Sequence, residues 1–231
     1  MNIAVIPARG GSKRIPRKNI KLFQGLPVIS YAIKSAQDSG IFSDIFVSTD
    51  DQEIAEIAES FGATVPWMRP KDLATDFSTT VEVMQDAVIK LSSNLNNLEN
   101  VCCIYPVTPL MGVNHLLRGL EILTVGEWDY VISALKATPS PDRIFSLGIG
   151  HEIRMRFPEY EAIRTQDLPD LFHDAGQFYW GKKSAWQNAL PLFTSKSTII
   201  ELPKECAVDV DTLDDWHYAE VLFEINRKGS M

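Results

Sequence analysis

The sequence predicts an α/β fold, in which helices flank a mostly parallel sheet and one small lobe is inserted. Short apolar runs of strand length alternate with segments of helical periodicity as far as residue 137. The runs are apolar throughout, as in strands that are buried on both faces. The stretch 138–172 breaks the alternation, because it is rich in proline and charge and has weak periodicity. The alternation then resumes, so we expect a single domain over 1–231 with an inserted excursion at 138–172.

The first half of the chain supplies two strands and two helices. "NIAVIP" (2–7) and "DIFVST" (44–49) are the predicted strands. A helix is expected over 27–40, with Pro27 at its first helical position and Gly40 at its end. A second helix follows over 50–62, where Asp50 and Glu53 have the spacing of a capping box and Gly62 closes the helix.

The remaining elements continue the pattern on both sides of the excursion. Helices are expected at "STTVEVMQDAVIKL" (78–91), "VNHLLRGLEILT" (113–124), "KKSAWQNAL" (182–190) and "LDDWHYAEVLFEI" (213–225). Strands are expected at "VCCIYP" (101–106), "DYVISAL" (129–135), "QFYWG" (177–181) and "STIIEL" (197–202). The first of the helices begins with Ser78, Thr79 and Thr80, one of which is expected to be its N-cap.

Composition limits the classes of partner. The 231 residues carry a formal net charge of −8, with 45% apolar and 23% charged residues. An acidic protein is a poor match for nucleic acid or an anionic membrane surface, so neither is expected as a partner. No apolar run reaches the ~18 residues of a membrane span, and the apolar stretch 3–6 is too short for a signal sequence. We therefore expect a cytoplasmic protein, with Cys102, Cys103 and Cys206 as unpaired thiols rather than a disulfide framework.

One loop contradicts the overall charge. The stretch "VIPARGGSKRIPRKN" (5–19) follows the first strand and begins a dense group of cations without any acidic residue: Arg9, Lys13, Arg14, Arg17, Lys18 and Lys21. The backbone amides of Gly10 and Gly11 can approach an anion, and Ser12 adds a hydroxyl donor. The loop follows the first strand and so lies at the carboxyl edge of the sheet, where ligands of open α/β sheets bind. The pattern favours a compact anion such as a nucleoside triphosphate over a merely solvated basic loop, although the sequence contains neither G-x-x-x-x-G-K-[ST] nor a G-x-G-x-x-G after the first strand.

An acidic pair near the end of the chain is the candidate metal site. Asp209 and Asp211 stand at i and i+2 in "AVDVDT", which on a strand places both carboxylates on one face. Capping of the last helix by Asp211 or Thr212 is the alternative interpretation of the same residues. The other candidates are weaker, because Asp50 is explained by helix capping and Asp76 by solvation in a loop.

The segment "IPARGGSKRIPRKN" resembles the N-terminal signature of the sugar-acid cytidylyltransferases, the family that makes CMP-sialic acid and its relatives. Further segments fall in the order of that family: "VSTDD" (47–51), "RPKDLATDFSTTVEVMQDA" (69–87), "YPVTPL" (105–110), "HDAGQFYW" (173–180) and "DVDTLDDW" (209–216). The resemblance implies a Rossmann-like nucleotide-diphospho-sugar transferase fold. It also implies transfer of CMP from CTP to the anomeric hydroxyl of a nine-carbon 2-keto sugar acid, with Mg²⁺ as cofactor and a homodimer that forms through the excursion.

The resemblance assigns residues to three parts of a site. The nucleotide site comprises Ala8, Arg9, Gly10, Gly11, Ser12, Arg14, Lys18, Asn19, Arg69, Ser78 and Thr79. The sugar-acid site comprises Tyr105, Thr108, His173, Asp174 and Gln177, with Arg164 or Arg156 reaching in from a partner subunit. Asp209 and Asp211 bind the metal ion, and together with Arg9 and Lys18 they are the expected catalytic residues. The general base stays open between Asp211 and a metal-bound hydroxide.

The segment over the sugar acid bears on the substrate. "HDAGQFYW" departs from the "RPNGAIY" type of the sialic-acid enzymes, and the resemblance is closest to the branch that activates pseudaminic acid. N-acetylneuraminic or legionaminic acid, and a non-catalytic nucleotide-binding module, are the alternatives. An octulosonate enzyme fits less well, because that branch has "PGKP" where this chain has "PRKN".

Overall fold

The computed structural model describes residues 1–229. The strands are β1 (Asn2–Pro7), β2 (Leu22–Phe23), β3 (Leu26–Pro27), β4 (Asp44–Ser48), β5 (Asn100–Ile104), β6 (Tyr130–Lys136), β7 (Phe145–Leu147), β8 (Ile153–Met155), β9 (Phe172–Lys182) and β10 (Ser197–Glu201). The helices are α1 (Ile29–Ser39), α2 (Gln52–Ser60), α3 (Thr80–Ser92), α4 (Val113–Val125), α5 (Lys183–Gln187) and α6 (Leu213–Gly229).

The central sheet has six strands in the order β10-β6-β9-β5-β1-β4. β1 pairs in parallel with β4 and β5, and β10 pairs in parallel with β6. Only β9 runs antiparallel in this sheet, between β5 and β6. The predicted α/β class with a mostly parallel sheet is therefore confirmed, and the crossover helices leave the loops after β1, β4 and β5 at one edge.

Both faces of the sheet are buried, which explains the continuous apolar runs. Along β1, Ala4 and Ile6 belong to the core that contains α1, α2 and α4. Ile3 and Val5 point to the opposite core, which contains α3 and α5. This alternation is the period of two expected of a strand. Cys102 and Cys103 divide between the two cores in the same way and are free, buried thiols, as predicted.

A third apolar cluster fixes the basic loop and the last helix to each other. Ile15 lies inside the loop but is only 1% exposed, and it packs with Val210 and with Trp216 of α6. Phe23 of β2 joins the same cluster, with its ring 5.6 Å from that of Trp216. The loop is therefore anchored by an apolar residue as well as by charge.

Two predicted helix starts are wrong. α1 begins at Ile29, and Pro27 instead belongs to β3, where it pairs with Leu22. α2 begins at Gln52 with Asp51 as its N-cap, which accepts the Ile54 N–H, so Asp50 is free for another role. The ends were predicted better, since Gly40 and Gly62 both adopt positive φ after their helices.

The excursion between β6 and β9 contains a small antiparallel hairpin, in which β7 pairs with β8. It exposes apolar side chains at Ile144, Phe145, Leu147 and Ile153. Phe157 is half-buried, in edge contact with the Tyr160 ring, so it contributes less to this surface than expected. Within residues 1–229, no helix combines the length and the apolar character that a membrane crossing requires.

Candidate active site

A cavity of about 240 Å³ opens at the edge where β1 and β5 end. Its walls come from five separate parts of the chain: the basic loop, residues 69–83, the end of β5, the middle of β9 and the segment before α6. The lining residues are Pro7, Arg9, Ser12, Lys13, Arg14, Ile15, Lys18, Asn19, Arg69, Ser78, Thr79, Thr80, Val83, Tyr105, Pro106, Val107, Gly176, Asp209 and Val210. Most of the residues expected to contact a nucleotide therefore meet in one cavity.

The basic loop is held in shape by bonds to its own backbone and to the far end of the chain. The buried Asn19 side chain donates to the Arg9 carbonyl over 2.9 Å. Lys18 Nζ donates to the Val210 carbonyl over 2.7 Å. These two bonds keep the loop curved around the cavity with its charged groups along the wall.

Neighbouring cations of the loop have different tasks. Arg17 adopts a left-handed backbone with φ of 54°, and its guanidinium turns away from the cavity to the carboxylates of Asp51 and Glu53. Lys21 stands over the Trp216 ring at 5.4 Å. Arg17 and Lys21 therefore anchor the loop, and neither contributes to the cavity wall.

Asp76 is engaged rather than merely solvated. Its two carboxylate oxygens accept from Arg9 Nη1 at 2.7 Å and from Lys13 Nζ at 2.5 Å. The hydrogen bonds from Lys13 and Arg9 lower the pKa of this carboxyl. The segment 70–79 is thus tied to the basic loop across the mouth of the cavity.

The glycines serve the loop differently from expectation. The Gly10 N–H donates to Asp50 Oδ1 over 3.0 Å instead of pointing into the cavity. A Cβ on Gly10 would lie 2.6 Å from Asp51 Oδ2, so glycine is required for this close approach. Gly11 is exposed and Ala8 is buried, and neither lines the cavity.

Arg69 has the most unusual environment in the site. The residue is 5% exposed, and its Nε and Nη2 atoms find no hydrogen-bond partner within residues 1–229. Asp50 Oδ1 lies 3.8 Å from Nη2. Burial lowers the pKa of Arg69, and the Asp50 charge opposes that shift. Buried donors without partners are costly, so the neighbouring charge of Asp50 matters for these enclosed nitrogens. Arg69 as a whole lines the cavity.

The start of α3 forms the opposite wall. Thr79 and Glu82 form a complete capping box, which settles the predicted cap among the three hydroxyl residues. Ser78 bonds back to Thr75 and to the Asp72 carbonyl. Thr80 is thereby free to bond the Tyr105 hydroxyl at 2.8 Å, which joins α3 to the end of β5.

The acidic pair is split. Residues 207–211 are not part of a strand, so the predicted shared face of Asp209 and Asp211 does not arise from a strand. Asp209 lines the cavity, whereas Asp211 Oδ1 bonds Arg14 Nη2 at 2.7 Å and lies 3.7 Å from Lys18 Nζ. Burial raises the pKa of Asp209, and the charges of Asp211 and Asp174 raise it further.

The third carboxylate is set in place by an irregularity in β9. The pairing of β9 with β6 shifts between Ile132 and Ala134. Gly176 has φ of 60° there, and a Cβ at this position would lie 3.4 Å from Asp209 Oδ1. Asp174 accepts the Gly176 N–H over 2.9 Å and also accepts from the Tyr179 hydroxyl. The strand therefore brings its backbone and one carboxylate to the acidic pair.

The residues expected to contact the sugar acid lie mostly outside the cavity wall. Thr108 is buried, and its hydroxyl donates to the Tyr105 carbonyl over 3.0 Å. Gln177 is 1% exposed and donates to the carbonyls of Ala175 and Val208. Both side chains therefore support the backbone in this structure and do not face the cavity, contrary to expectation.

Two further sugar-site residues are exposed. His173 lies at the start of β9 with Nδ1 3.0 Å from the Asp174 carbonyl. Arg164 pairs with Asp167 in the excursion at 2.6 Å. Neither belongs to the cavity wall formed by this chain.

Sequence reasoning missed Lys13, Thr80 and Gly176 in the wall and underrated Asp50 and Asp76. The signals existed, because Lys13 belongs to the cation cluster and both aspartates stand in the quoted motifs. Their roles depend on partners 40 to 67 positions away along the chain, which local pattern does not reveal.

A cationic loop at the carboxyl edge of a parallel sheet, with a carboxylate across the same cavity, is the arrangement of a nucleotidyltransferase site. The profile of the cytidylyltransferase family matches residues 3–147. The chain belongs to this family, which confirms the resemblance found in the sequence.

Relatives and solved structures agree with the assignment. A pseudaminic acid cytidylyltransferase of Campylobacter jejuni subsp. jejuni serotype O:2 is 37% identical over 229 residues, which are 99% of each chain. A CMP-N,N'-diacetyllegionaminic acid synthase of Legionella pneumophila is 32% identical and is matched over 98% of each chain. The solved structure of CMP:2-keto-3-deoxy-manno-octonic acid synthetase complexed with CTP aligns with a TM-score of 0.68 at 16% identity, covering 97% of this chain and 99% of that one. At this low sequence identity, the structural match shows a shared fold and nothing more.

Proposed function

We propose that the protein transfers CMP from CTP to the anomeric hydroxyl of pseudaminic acid, a nine-carbon 2-keto sugar acid, and releases pyrophosphate. The observation that carries the proposal is the cavity itself. It places the buried Arg69, the cations of the basic loop and the Asp209 carboxylate around one space. Base, phosphates and metal ion each have a chemically matched group there.

Arg69 is the proposed reader of the base. Cytosine presents O2 and N3 as acceptors, and the guanidinium of Arg69, a residue of the cavity wall, carries N–H donors that can serve them. Uracil carries a hydrogen on N3, so the same donor would meet a donor. Because Arg69 is buried, an unmatched base leaves its donors without water or partner, which penalises the wrong nucleotide.

The basic loop is proposed to hold the triphosphate. Arg9, Arg14 and Lys18 line the cavity and can each donate charge-assisted hydrogen bonds to phosphate oxygens. Asn19 holds the loop closed through the Arg9 carbonyl. In the proposed reaction the sugar hydroxyl loses its proton to Asp211 or to solvent, and its oxygen attacks the α-phosphorus in line. The bond to the bridging oxygen breaks, and pyrophosphate leaves with the negative charge that these cations stabilise.

Mg²⁺ is the proposed cofactor, and the residues present fit it. Burial raises the pKa of Asp209, the like charges of Asp211 and Asp174 raise it further, and a divalent cation relieves that repulsion. No group of three or more His, Cys, Asp or Glu residues suited to a metal ion occurs within 1–229. Two carboxylates suffice for Mg²⁺, which keeps several waters and takes substrate phosphate oxygens as ligands. When bound, the ion supplies charge neutralisation at the phosphates, and Asp209 and Asp211 would hold it.

Pseudaminic acid is preferred over other sugar acids on two grounds. The relative from Campylobacter jejuni named above carries that activity in its name and aligns over the whole chain. The segment 173–180 also departs from the sialic-acid type at the positions expected to cover the sugar.

A two-fold homodimer is proposed to complete the sugar-acid end. The hairpin of the excursion exposes Ile144, Phe145, Leu147 and Ile153, an apolar set that favours contact with a second copy. Arg164 or Arg156 would then reach the partner's cavity. Sedimentation and activity measured across protein concentration test this, and a fully active monomer at low micromolar concentration would contradict it.

The experiment for the proposed activity is pyrophosphate release measured with each of four nucleoside triphosphates and a panel of sugar acids in the presence of Mg²⁺. We expect turnover with CTP and pseudaminic acid. Arg9→Ala and Lys18→Ala should lower this turnover, and Arg118→Ala is their matched control, since Arg118 pairs with Glu121 on the exposed face of α4. Turnover only with another sugar acid overturns the substrate assignment, and no turnover with CTP and any sugar acid overturns the activity.

A further inference from the structure

Asp50 occupies the junction between the two halves of the proposed nucleotide site. A single oxygen, Oδ1, accepts the Gly10 N–H at 3.0 Å and lies 3.8 Å from Arg69 Nη2. Gly10 belongs to the triphosphate loop, and Arg69 is the proposed base reader. Asp50 itself is not part of the cavity wall. It is therefore placed to act on a ligand through two other residues and not by contact.

The local backbone reinforces this placement. The Arg69 N–H donates to the Thr49 carbonyl over 2.7 Å, so the main chain of Arg69 is pinned directly beside Asp50. The next residue, Asp51, caps α2 and carries the Arg17 ion pair, which fixes the backbone of the turn. Asp50 is released from capping and directs its carboxylate to the loop and to the guanidinium.

The charge of Asp50 matters because Arg69 is buried. At 3.8 Å the carboxylate attracts the guanidinium without forming a hydrogen bond, so its charge can hold the enclosed side of the guanidinium while Arg69 lines the cavity. Arg9 adds a repelling charge in the same region. A buried arginine with a cation as neighbour needs an anion to hold its orientation. The charge of Asp86 also attracts Arg69, but Asp50 is the carboxylate that forms an ion pair with it, at 3.8 Å.

We propose that Asp50 is a positioning residue that sets the orientation of Arg69 and the path of the glycine loop together, and so couples base selection to triphosphate binding. This inference rests on the nucleotidyl transfer proposed above. It names a role beyond that activity, since the nucleotide would be recognised as one unit through a carboxylate that it does not touch.

Two substitutions separate the two contacts. Asp50→Asn keeps an oxygen that can accept the Gly10 N–H but removes the charge that faces Arg69. Asp50→Ala removes both. We expect the preference for CTP over UTP, measured as the ratio of kcat/KM values, to fall ~10-fold in both variants. We expect KM for CTP to rise ~10-fold only in Asp50→Ala, because only that variant frees the loop amide.

Asp51→Asn is the matched control, since it alters the same turn. Asparagine remains a good N-cap, while the Arg17 ion pair is lost. For Asp51→Asn we expect a lower Tm and an unchanged ratio of kcat/KM for CTP to kcat/KM for UTP. In an Arg69→Lys background, Asp50→Asn should no longer change that ratio, because the group through which it acts has gone.

The role is overturned if Asp50→Asn keeps the wild-type ratio, or if its effect persists undiminished beside Arg69→Lys. A separate readout distinguishes this from failure of the proposed activity. The shift in Tm produced by CTP and by UTP in the absence of sugar acid measures base selection without turnover. If wild type releases no pyrophosphate, the role is still supported when CTP raises Tm more than UTP does in wild type and this difference shrinks in Asp50→Asn. It is overturned when the difference is the same in both proteins or is absent from wild type.

Discussion

The two ends of the candidate site differ in how the chain builds them. At the nucleotide end, Arg9, Arg14 and Lys18 come from one loop and reach one cavity. At the sugar-acid end, Gln177 is buried behind the wall, and His173 is exposed outside it. One strand-to-loop transition supplies the first end, whereas the second depends on distant segments and, in the proposed dimer, on a second copy.

The difference shows where a sequence motif is enough to predict the relative positions of side chains. The cations of the basic loop lie close together along the chain, and the bond from Asn19 to the Arg9 carbonyl helps to keep them on one curved segment. A side chain on β9 faces one side or the other according to the bulge, and Gln177 turns to the carbonyls of Ala175 and Val208. Motif order therefore predicts the nucleotide end better than the sugar-acid end.

The largest expected effect is on kcat and comes from the acidic pair, which lies where the nucleotide end and the sugar-acid end of the site meet. Asp209→Asn should lower kcat by on the order of 10²-fold or more, because charge stabilisation by a metal ion is worth several kcal/mol. Asp211→Asn should have an effect in the same direction, although Asp211 is also held by Arg14. Asp214→Asn, in the first turn of α6, is the control. Steady-state kinetics at saturating CTP measure kcat for each variant. Near wild-type kcat in both Asp209→Asn and Asp211→Asn would remove the pair from the mechanism.

The second prediction tests the sugar-acid end. We expect kcat/KM for pseudaminic acid to exceed that for N-acetylneuraminic acid by at least ~10²-fold, since a site built for one pattern of polar groups rejects another. His173→Ala should erode this preference more than it changes the affinity for CTP. Gln177→Ala should instead lower Tm, because its side chain is buried and bonded to backbone carbonyls. A wild-type preference for N-acetylneuraminic acid would contradict the substrate assignment and leave the family membership intact.

The third prediction tests the nucleotide end. Arg9→Ala and Lys18→Ala should each raise KM for CTP by ~10-fold or more, as expected for charge-assisted hydrogen bonds that are aimed at phosphates. Lys21→Ala should have little effect, because Lys21 lies over the Trp216 ring and away from the cavity. Equal effects from all three substitutions would indicate a diffuse positive field in place of directed donors.

The smallest effect concerns the anchor of the loop. The hydrogen bond from Arg17 lowers the pKa of Asp51. The ionised Asp51 carboxylate therefore stabilises the folded protein above the unfolded-state pKa, and this stabilisation is lost as pH falls through the lower folded-state pKa. The free energy of unfolding of wild type should exceed that of Asp51→Asn by at most about 1 kcal/mol near neutral pH, because the pair is partly exposed. Chemical denaturation from about pH 6 to about pH 3 should show the difference narrowing. A constant difference would show that the ion pair is not the anchor.

The sequence by itself determined the features that depend on neighbouring residues. Alternating apolar runs predict the α/β fold, and the glycines at 40 and 62 mark helix ends. The Thr79 and Glu82 spacing caps α3, and the run of cations after β1 predicts a cationic wall, which the cavity has. In each case the interacting groups lie within a few positions, so the backbone conformation that joins them is itself local.

Only the tertiary structure decided which partner each charged side chain of the site meets. Arg17 and Lys18 are adjacent and equally charged, yet Arg17 turns to Asp51 and Lys18 to Val210. Asp50 and Asp51 are likewise adjacent, yet one caps α2 and the other joins the glycine loop to Arg69. The physical reason is that a side chain's role is fixed by the partner it meets. Apart from the cap of α2, these partners lie far away along the chain until the sheet brings them together.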